Sequence, residues 1–289
     1  MPSATEPTRH SLPLRLLDAW GDLWNRIFEL IGGVSYLMWD VIVWVTRAVF
    51  TRRVRFGRTA LITQVVRIGV RSTGIVVLVC ACIGFILALQ MEPSLRDFGQ
   101  RDKIANIVAV AVFRELGPLI AAIVLTGFAG ASIAAELGTM VVGEEIEALE
   151  AHALNPIRFL VVPRVMATVI GLTLLTIIGD LTGVVFGGIM TVGFLDVPCE
   201  LYKSNTLHQL SSNASGLNNL NIPDFYTGLV KASVFGLILS CIACHNGLKV
   251  TGGAAGVGKA TTDTVVQTIV SVIIADLLFT AIFFKIGWT

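Results

Sequence analysis

An arginine and a glutamate stand side by side in an apolar stretch of the sequence, in the run Arg114–Pro118 (RELGP). Neighbouring residues of a helix point about 100° apart, so these two side chains cannot pair with each other. Ionisable groups at membrane depth cost at least about 2.5–3.5 kcal/mol each and usually face a cavity, a pathway or a partner on another helix. Because arginine binds phosphate through two parallel hydrogen bonds, the run can either bind an anionic head group or tether neighbouring helices.

Three further acids are isolated among apolar neighbours, namely Glu136, Asp180 and Asp276. The simpler interpretation is that each carboxyl group is hydrogen-bonded to another helix and ties the bundle together. The alternative is that these acids carry protons, and the chain would then be an ion-coupled secondary transporter. Transport driven by a proton gradient alone would favour that alternative.

A glycine-rich run, Gly253–Lys259 (GAAGVGK), fits the first seven positions of a phosphate-binding P-loop. The eighth position needs serine or threonine to hold the metal ion, and here it is Ala260. The run also connects two apolar segments, whereas a P-loop joins a β-strand to a helix. We therefore expect a flexible connection at residues 247–262 and no nucleotide site on this chain.

The segment Cys241–His245 (CIACH) matches the pattern of covalent haem attachment, which would indicate a membrane-embedded haem enzyme. The pattern falls in an apolar stretch, however, where cysteine is common as a small buried residue. The other histidines, His10, His152 and His208, have no spacing typical of metal ligands. The sequence thus predicts no metal site and no cofactor.

The composition of the chain indicates its class. Of the 289 residues, 54% are hydrophobic and only 14% are charged, and the mean hydropathy is +0.79. Soluble domains carry about 25% charged residues, so this chain has too little polar surface to enclose a water-soluble core. A net charge of +1 also argues against nucleic-acid binding. An all-α integral membrane protein is therefore predicted.

Five segments are long and apolar enough for transmembrane helices, which need about 20 residues. They lie at about residues 72–91, 104–135, 160–194, 226–244 and 264–286. Seven arginines between positions 47 and 71 favour a cytoplasmic N-terminus. Five crossings then place the loop at about 143–158 in the cytoplasm, and the loop at about 195–225 and the C-terminus in the periplasm.

Residues 1–55 are predicted to be an N-terminal interfacial region. Apolar residues between Leu16 and Leu30 recur at helical spacing with charged residues between them, which is typical of an amphipathic helix in the membrane interface. Residues 31–50 are more apolar and are the candidate for a sixth span. Asp40, the Gly32-Gly33 pair and the local tryptophans favour an interfacial or re-entrant segment instead.

An acidic stretch follows the second predicted span, in the cytoplasmic loop of about residues 143–158. Ile146, Leu149 and Ala153 fall on one helical face, and carboxylates occupy the others. A short amphipathic helix of this kind can dock on a partner protein, although a solvated connector has a similar composition. The candidate docking residues are Glu144, Glu145, Glu147, Leu149, Glu150 and Arg158.

Four stretches together resemble the MlaE/YrbE permease family, the membrane subunits of MCE-associated ABC transporters of bacteria. They are Arg114–Pro118, Gly127–Glu136 (GFAGASIAAE), Glu145–Arg164 (EIEALEAHALNPIRFLVVPR) and Ala255–Val266 (AGVGKATTDTVV). They occur in the family's order and at compatible spacings over about residues 55–286. The resemblance assigns residues 56–289 to a permease domain.

This resemblance implies a homodimeric ABC permease in the bacterial inner membrane, with five transmembrane helices per subunit behind an N-terminal interfacial helix. It places ATP hydrolysis on a separate cytoplasmic ATPase that docks on the coupling helix of about residues 143–158, so the chain is a transporter subunit and not an enzyme. It also implies a periplasmic MCE-domain protein that passes phospholipid between the inner and outer membranes. A small STAS-domain accessory subunit is a further partner that the family allows.

The resemblance also assigns a lipid-binding cavity to the end of the first span and the start of the second. The residues that match its lining are Leu87, Gln90, Leu95, Phe98, Arg114 and Glu115. Of these, Arg114 and Glu115 are also indicated by their own chemistry, as ionisable residues at membrane depth.

Overall fold

The computed structural model describes residues 12–50, 58–211, 213–214 and 222–286, and nearly all of them are helical. The helices are α1 (Leu12–Phe50), α2 (Arg58–Asp97), α3 (Ile104–Ala111), α4 (Gly117–Leu125), α5 (Ala131–Val142), α6 (Glu145–Ala151), α7 (Val162–Phe194), α8 (Cys199–Ser211), α9 (Asp224–Leu248) and α10 (Gly253–Ile286). Turns of π-helix at Val112–Leu116 and Thr126–Gly130 join α3, α4 and α5 into one continuous rod, and a third at Ile157–Val161 leads into α7.

Six helical segments of the described part are long and apolar enough to cross a membrane. They are Phe28–Arg47, Leu61–Asp97, Arg101–Val142, Ile157–Phe194, Asp224–Leu248 and Gly253–Ile286. Five of them contain the five predicted spans, and the all-α class is confirmed for the described residues. The sixth lies in α1, which runs through Gly32 and Gly33 without a break. The number of crossings and the interfacial placement of residues 31–50 stay predictions.

The helices extend beyond the apolar stretches that predicted them, because backbone hydrogen bonding continues where polar side chains leave the hydrocarbon region. α10 begins at Gly253, so the predicted flexible connection of residues 247–262 is wrong, and only residues 249–252 join α9 to α10. Gly252 (φ 86°) and Gly253 (φ 68°) make this short reversal through conformations that other residues rarely adopt. The P-loop-like run lies in the first turns of α10, which is not the strand-to-helix context of a P-loop.

The predicted periplasmic loop of about residues 195–225 contains a helix, α8, and is therefore more ordered than a plain loop. The hydroxyl of Tyr202 donates to the carbonyl oxygen of Val184 in α7 at 2.9 Å. Asn205 Nδ2 donates to the carbonyl oxygen of Asp102 at 2.9 Å, which connects α8 to the turn before α3. Beyond α8, Asn213–Ala214 and Ile222–Pro223 pair as two antiparallel strands of two residues each.

Small residues let the membrane helices pack with their backbones in contact. A Cβ atom placed on Gly84 of α2 would lie 2.0 Å from the carbonyl oxygen of Gly183 in α7. In the Gly127–Glu136 stretch, Ala129, Gly130 and Ala134 are buried. Small residues at these positions let neighbouring helices pack closely.

Candidate functional site

A network of polar side chains crosses the bundle at Arg114 and Glu115. Its members come from the first π turn, α9 and α10, and we call them the polar network: Arg114, Glu115, Asp224, Lys231, Asp276 and Thr280. As the sequence requires, Arg114 and Glu115 bind different partners. The network ties three separate stretches of chain together inside the apolar bundle.

The π turn Val112–Leu116 presents both charged residues. The N–H group of Gly117 donates to the carbonyl oxygen of Val112, five residues earlier, which is the hydrogen bond that defines a π turn. Pro118 has no N–H group to offer the carbonyl of Arg114, so a regular helix could not be completed here. α9 lies against this turn, since a Cβ atom on Gly228 would lie 2.0 Å from the carbonyl oxygen of Phe113. Turns of this kind are frequent at functional sites.

Arg114 forms an ion pair with Asp224, the first residue of α9. Its Nη2 atom lies 2.5 Å from Oδ1 of the carboxylate. A carboxylate at a helix N-terminus is stabilised by the helix dipole, which explains the acid at this position. The Arg114 side chain is 19% exposed, while its Nε atom is buried and has no hydrogen-bond partner among the described residues. The N–H donors of its two Nη atoms that Asp224 does not use are therefore left for a ligand.

Lys231 is a wholly buried cation that two carboxylates share. Its Nζ atom lies 2.5 Å from Oε2 of Glu115 and 2.9 Å from Oδ1 of Asp276, and it donates to Oγ1 of Thr280 at 3.0 Å. The Thr280 hydroxyl lies 3.2 Å from Oε1 of Glu115. Glu115 has the most exposed side chain of the three charged groups, at 32%. A ligand can therefore reach Glu115, whereas Lys231 is sealed behind it.

The other four predicted lining residues lie differently. Leu87 and Leu95 are partly buried and pack against a small apolar cluster that contains Phe113, the residue before Arg114. Gln90 and Phe98 are exposed, and no hydrogen bond or ion pair joins them to the polar network in the described part of the chain. The structure thus places Arg114 and Glu115 in the polar network and the two leucines against this apolar cluster.

A groove of about 710 Å³ lies between α7 and α8. Val185, Ile189 and Leu207 belong to its wall, which is almost entirely apolar. Phe113, the residue before Arg114, also contributes to this wall. None of the six predicted lipid-binding residues lines it.

The isolated acids divide into two kinds. Glu136 pairs with Arg67 and with Arg164, whose Nη2 atom lies 3.4 Å from Oε2 of the carboxylate, and Asp276 pairs with Lys231. These two acids are interhelical tethers, as the simpler interpretation predicts. Asp180 is wholly buried in α7, and neither of its carboxyl oxygens has a hydrogen-bond partner among the described residues.

The acidic segment forms the short helix α6, and its glutamates point outward. Glu144, Glu145, Glu147 and Glu150 are exposed, while Ile146 and Leu149 are half-buried against the main core. The predicted apolar face is thus confirmed for Ile146 and Leu149. It is wrong for Ala153, which lies beyond the end of α6 with a positive φ of 58°.

Arg158 connects the acidic segment to the N-terminal helix. Its guanidinium lies 5.4 Å from the centre of the Trp44 ring, and Arg47 lies 5.7 Å from the same ring. Cation–π contacts of this kind contribute roughly 0.5–1 kcal/mol at exposed sites. α1 is therefore attached to the segment that begins α7.

The haem-like pattern lies in the core. Cys241 and Cys244 are both wholly buried in α9, and the ring of His245 packs so closely on Gly33 that a Cβ atom there would lie 2.1 Å from Cε1. Buried sulfur atoms that face packed helices have no open side for a porphyrin. Within the described residues, no group of three or more metal-ligating side chains comes together.

The sequence analysis missed three members of the polar network, namely Asp224, Lys231 and Thr280. Asp224 and Lys231 stand seven residues apart, which is two helical turns, and so lie on one face of α9. A lysine in an apolar span is the same signal that identified Arg114. A threonine carries no such signal.

Fold and site together define a multi-span, all-helical membrane protein with a buried network of charged side chains. The family model for Permease MlaE matches residues 61–282. The chain therefore belongs to the MlaE permease family, as its motifs predict.

Curated relatives agree with this family. A probable ABC transporter permease protein of Rickettsia felis is 39% identical over 226 residues, which cover 78% of this chain and 83% of the relative. The intermembrane phospholipid transport system permease protein MlaE of Haemophilus influenzae is 32% identical over 274 residues, or 95% and 99% of the two chains. Protein TRIGALACTOSYLDIACYLGLYCEROL 1, chloroplastic, of Arabidopsis thaliana is 33% identical over 77% of this chain and 61% of its own length.

Proposed function

We propose that this chain is the permease subunit of an ATP-driven phospholipid transporter in a bacterial inner membrane. The Haemophilus influenzae relative, which aligns over 95% of this chain, is named for intermembrane phospholipid transport. The observation that carries the proposal is the polar network, which holds a partly exposed arginine and glutamate inside an apolar bundle. An amphiphile matches such a site, since its head group binds charges and its chains need apolar surface.

In this proposal the lipid head group binds at Arg114 and Glu115. Leu87 and Leu95 then provide apolar surface beside the π turn, where they pack on the cluster around Phe113. Gln90 and Phe98 are exposed in the single chain, and we assign them to the face of the cavity that a second copy completes in a homodimer.

The energy for transport comes from a separate cytoplasmic ATPase that docks on the acidic segment. The exposed carboxylates of Glu144, Glu145, Glu147 and Glu150 supply the contact, while Leu149 holds α6 on the core of the permease. Arg158 acts from the same segment and also contacts Trp44. Closure of the ATPases would then move α5 and α7, the helices on either side of this segment, as rigid bodies.

The further partners follow from the family. A periplasmic MCE-domain protein receives or delivers the lipid, and a small STAS-domain subunit is an accessory on the cytoplasmic side. The N-terminus is cytoplasmic and the C-terminus periplasmic, so the polar network lies in the periplasmic half of the membrane. Residues 1–55 form the interfacial region and residues 56–289 the permease domain.

Affinity purification in mild detergent, followed by mass spectrometry of bound proteins and lipids, tests the proposal. We expect an ATPase, an MCE-domain protein and phospholipid to copurify with the wild type. The double variant Arg114→Gln/Asp224→Asn removes a buried ion pair without leaving an unpaired charge, and it should retain less phospholipid in an intact complex. The control is Glu200→Gln/Lys203→Gln, which removes the exposed ion pair of α8 with its 3.7 Å separation. Undiminished lipid in the first variant would contradict the assigned site.

The three candidate carriers of the ion-coupled alternative have different surroundings. Glu136 and Asp276 are each paired with cations, and Asp180 is the acid that has no partner in the described part of the chain. Transport into vesicles under a proton gradient, without nucleotide or ATPase, would support the alternative and count against the proposal.

A further inference from the structure

We propose that the polar network selects phospholipids whose head group carries an amine, because the network holds one more negative charge than its own cations balance. This inference rests on the proposed function. It concerns the class of lipid that binds at Arg114 and Glu115.

The surplus charge follows from the ion pairs. The network contains three carboxylates, those of Glu115, Asp224 and Asp276, and two cations, those of Arg114 and Lys231. Arg114 and Asp224 neutralise each other across 2.5 Å, so the surplus belongs to the two carboxylates that share Lys231. No other basic residue of the described chain pairs with any of these acids.

A surplus carboxylate inside an apolar bundle is costly unless a cation or a proton compensates it. Oε2 of Glu115 accepts a hydrogen bond from Lys231. The Thr280 hydroxyl has one proton, which faces both the carbonyl oxygen of Asp276 at 2.9 Å and Oε1 of Glu115 at 3.2 Å. Glu115 is also the most exposed of the charged groups around Lys231. An ammonium group that approaches from outside can therefore reach Glu115 and pair with its carboxylate.

The neighbouring residue, Arg114, can bind the phosphate of the head group. Asp224 is the one hydrogen-bond partner of the Arg114 guanidinium among the described residues, which leaves donors for a phosphate. Arg114 and Glu115 are consecutive residues of the π turn, and each has a partly exposed side chain that a head group can contact. With a zwitterionic head group bound, the total charge of the network stays at −1, whereas a head group that has phosphate but no amine makes it −2.

The test is a competition between two lipids with identical chains. The purified full-length protein is equilibrated with equal amounts of phosphatidylethanolamine and phosphatidylglycerol, and native mass spectrometry counts the bound molecules. We expect an ethanolamine preference of about tenfold, the ratio that one charge-assisted hydrogen bond produces. In Asp276→Asn, which removes the surplus charge, the preference should fall to within about twofold.

A matched control lies on the same helix. Asp263→Asn also neutralises one acid of α10, about 20 Å from Asp276 at the helical rise, and it should keep the wild-type preference. Glu115→Gln also leaves two carboxylates facing two cations, so it replaces Asp276→Asn should that variant fail to fold. We expect the same loss of ethanolamine preference in this variant.

The outcomes separate the inference from the function on which it rests. Wild-type protein that binds no phospholipid contradicts the proposed function. Wild-type protein that binds both lipids equally contradicts only the inference, and indicates that a proton balances the surplus carboxylate. A preference that persists in both neutralised variants also overturns the inference, because the selectivity would then come from another part of the protein.

Discussion

The Nζ atom of Lys231 lies 2.5 Å from Oε2 of Glu115, and this contact joins α9 to the π turn at a wholly buried position. The same ammonium group reaches Asp276 and Thr280 of α10. Lys231 of α9 thus attaches the π turn, which presents the candidate site, to α9 and α10. The geometry of the candidate site and the packing of α9 and α10 therefore both depend on the Lys231 side chain.

We expect Lys231→Met to destabilise the protein by about 3–5 kcal/mol, because it leaves Asp276 and the partly exposed Glu115 without their cation. Thermal unfolding in detergent measures the loss. The control is Lys285→Met at the exposed end of α10, which should unfold at nearly the wild-type temperature. Equal unfolding temperatures for both variants would show that the buried ammonium contributes little.

A second prediction concerns the close approach of α2 and α7. Gly84→Ala places a methyl group 2.0 Å from the carbonyl oxygen of Gly183, so the helices must separate. Overpacking of this kind costs about 1–3 kcal/mol, measured as a loss of unfolding free energy. Gly74→Ala on the same helix meets no atom within 4 Å and should be neutral or stabilising. If Gly84→Ala behaves like Gly74→Ala, the two helices are not packed as described.

Hydropathy predicted the existence and order of the membrane helices, and it failed at their ends. The reason is that hydropathy detects the hydrocarbon region, whereas helix termini depend on turn chemistry such as the Gly252-Gly253 reversal. α8 was missed altogether because its composition is polar, and it is held by tertiary bonds such as that of Tyr202 to α7. Such bonds connect residues far apart in sequence and leave no periodic signal.

The candidate site was predictable where a charge interrupts an apolar run. Arg114 and Glu115 were identified in this way, and the same criterion applied to α9 would have added Lys231. The pairing itself was not predictable, since Glu115 and Lys231 are 116 residues apart. The contact between Trp44 and Arg158 was not predictable either. Trp44 alone indicates an interfacial anchor, and Arg158 alone indicates a docking residue.

The third prediction is an alkaline loss of stability at α8. Burial disfavours the phenolate of Tyr202 and raises its pKa from 10.0 to about 12. The folded protein holds the phenolic proton of Tyr202 more tightly than the unfolded chain does, so Tyr202 contributes its full stabilisation at a pH below its unfolded-state pKa. This contribution should be lost as the pH rises from about 10 to about 12. Unfolding measured across this range should show the decline.

Tyr202→Phe separates the two roles of the hydroxyl group. The variant lacks the hydrogen bond to Val184 and should lose about 1 kcal/mol at neutral pH. It has no proton to release, so its stability should decline less than that of the wild type between pH 10 and pH 12. Parallel curves for the two proteins would assign the alkaline decline to other groups.

The last prediction concerns the docking of the ATPase on α6. Reversing three exposed charges, in the variant Glu144→Lys/Glu145→Lys/Glu147→Lys, should lower the amount of copurified ATPase at least about tenfold, because each reversal turns an attraction into a repulsion at the contact. Ile146 and Leu149 are left in place, so α6 should still pack on the core. The amount of ATPase per permease is read from the purified complex.

The control reverses three exposed acids at the opposite end of the bundle, in Asp97→Lys/Asp196→Lys/Glu200→Lys. It changes the net charge by the same amount and should leave the ATPase bound. Leu149→Ala distinguishes contact from position, since it loosens α6 on the core without altering any charge. A complex that survives the charge reversal but is lost in Leu149→Ala would mean that the position of α6, and not its carboxylates, holds the ATPase.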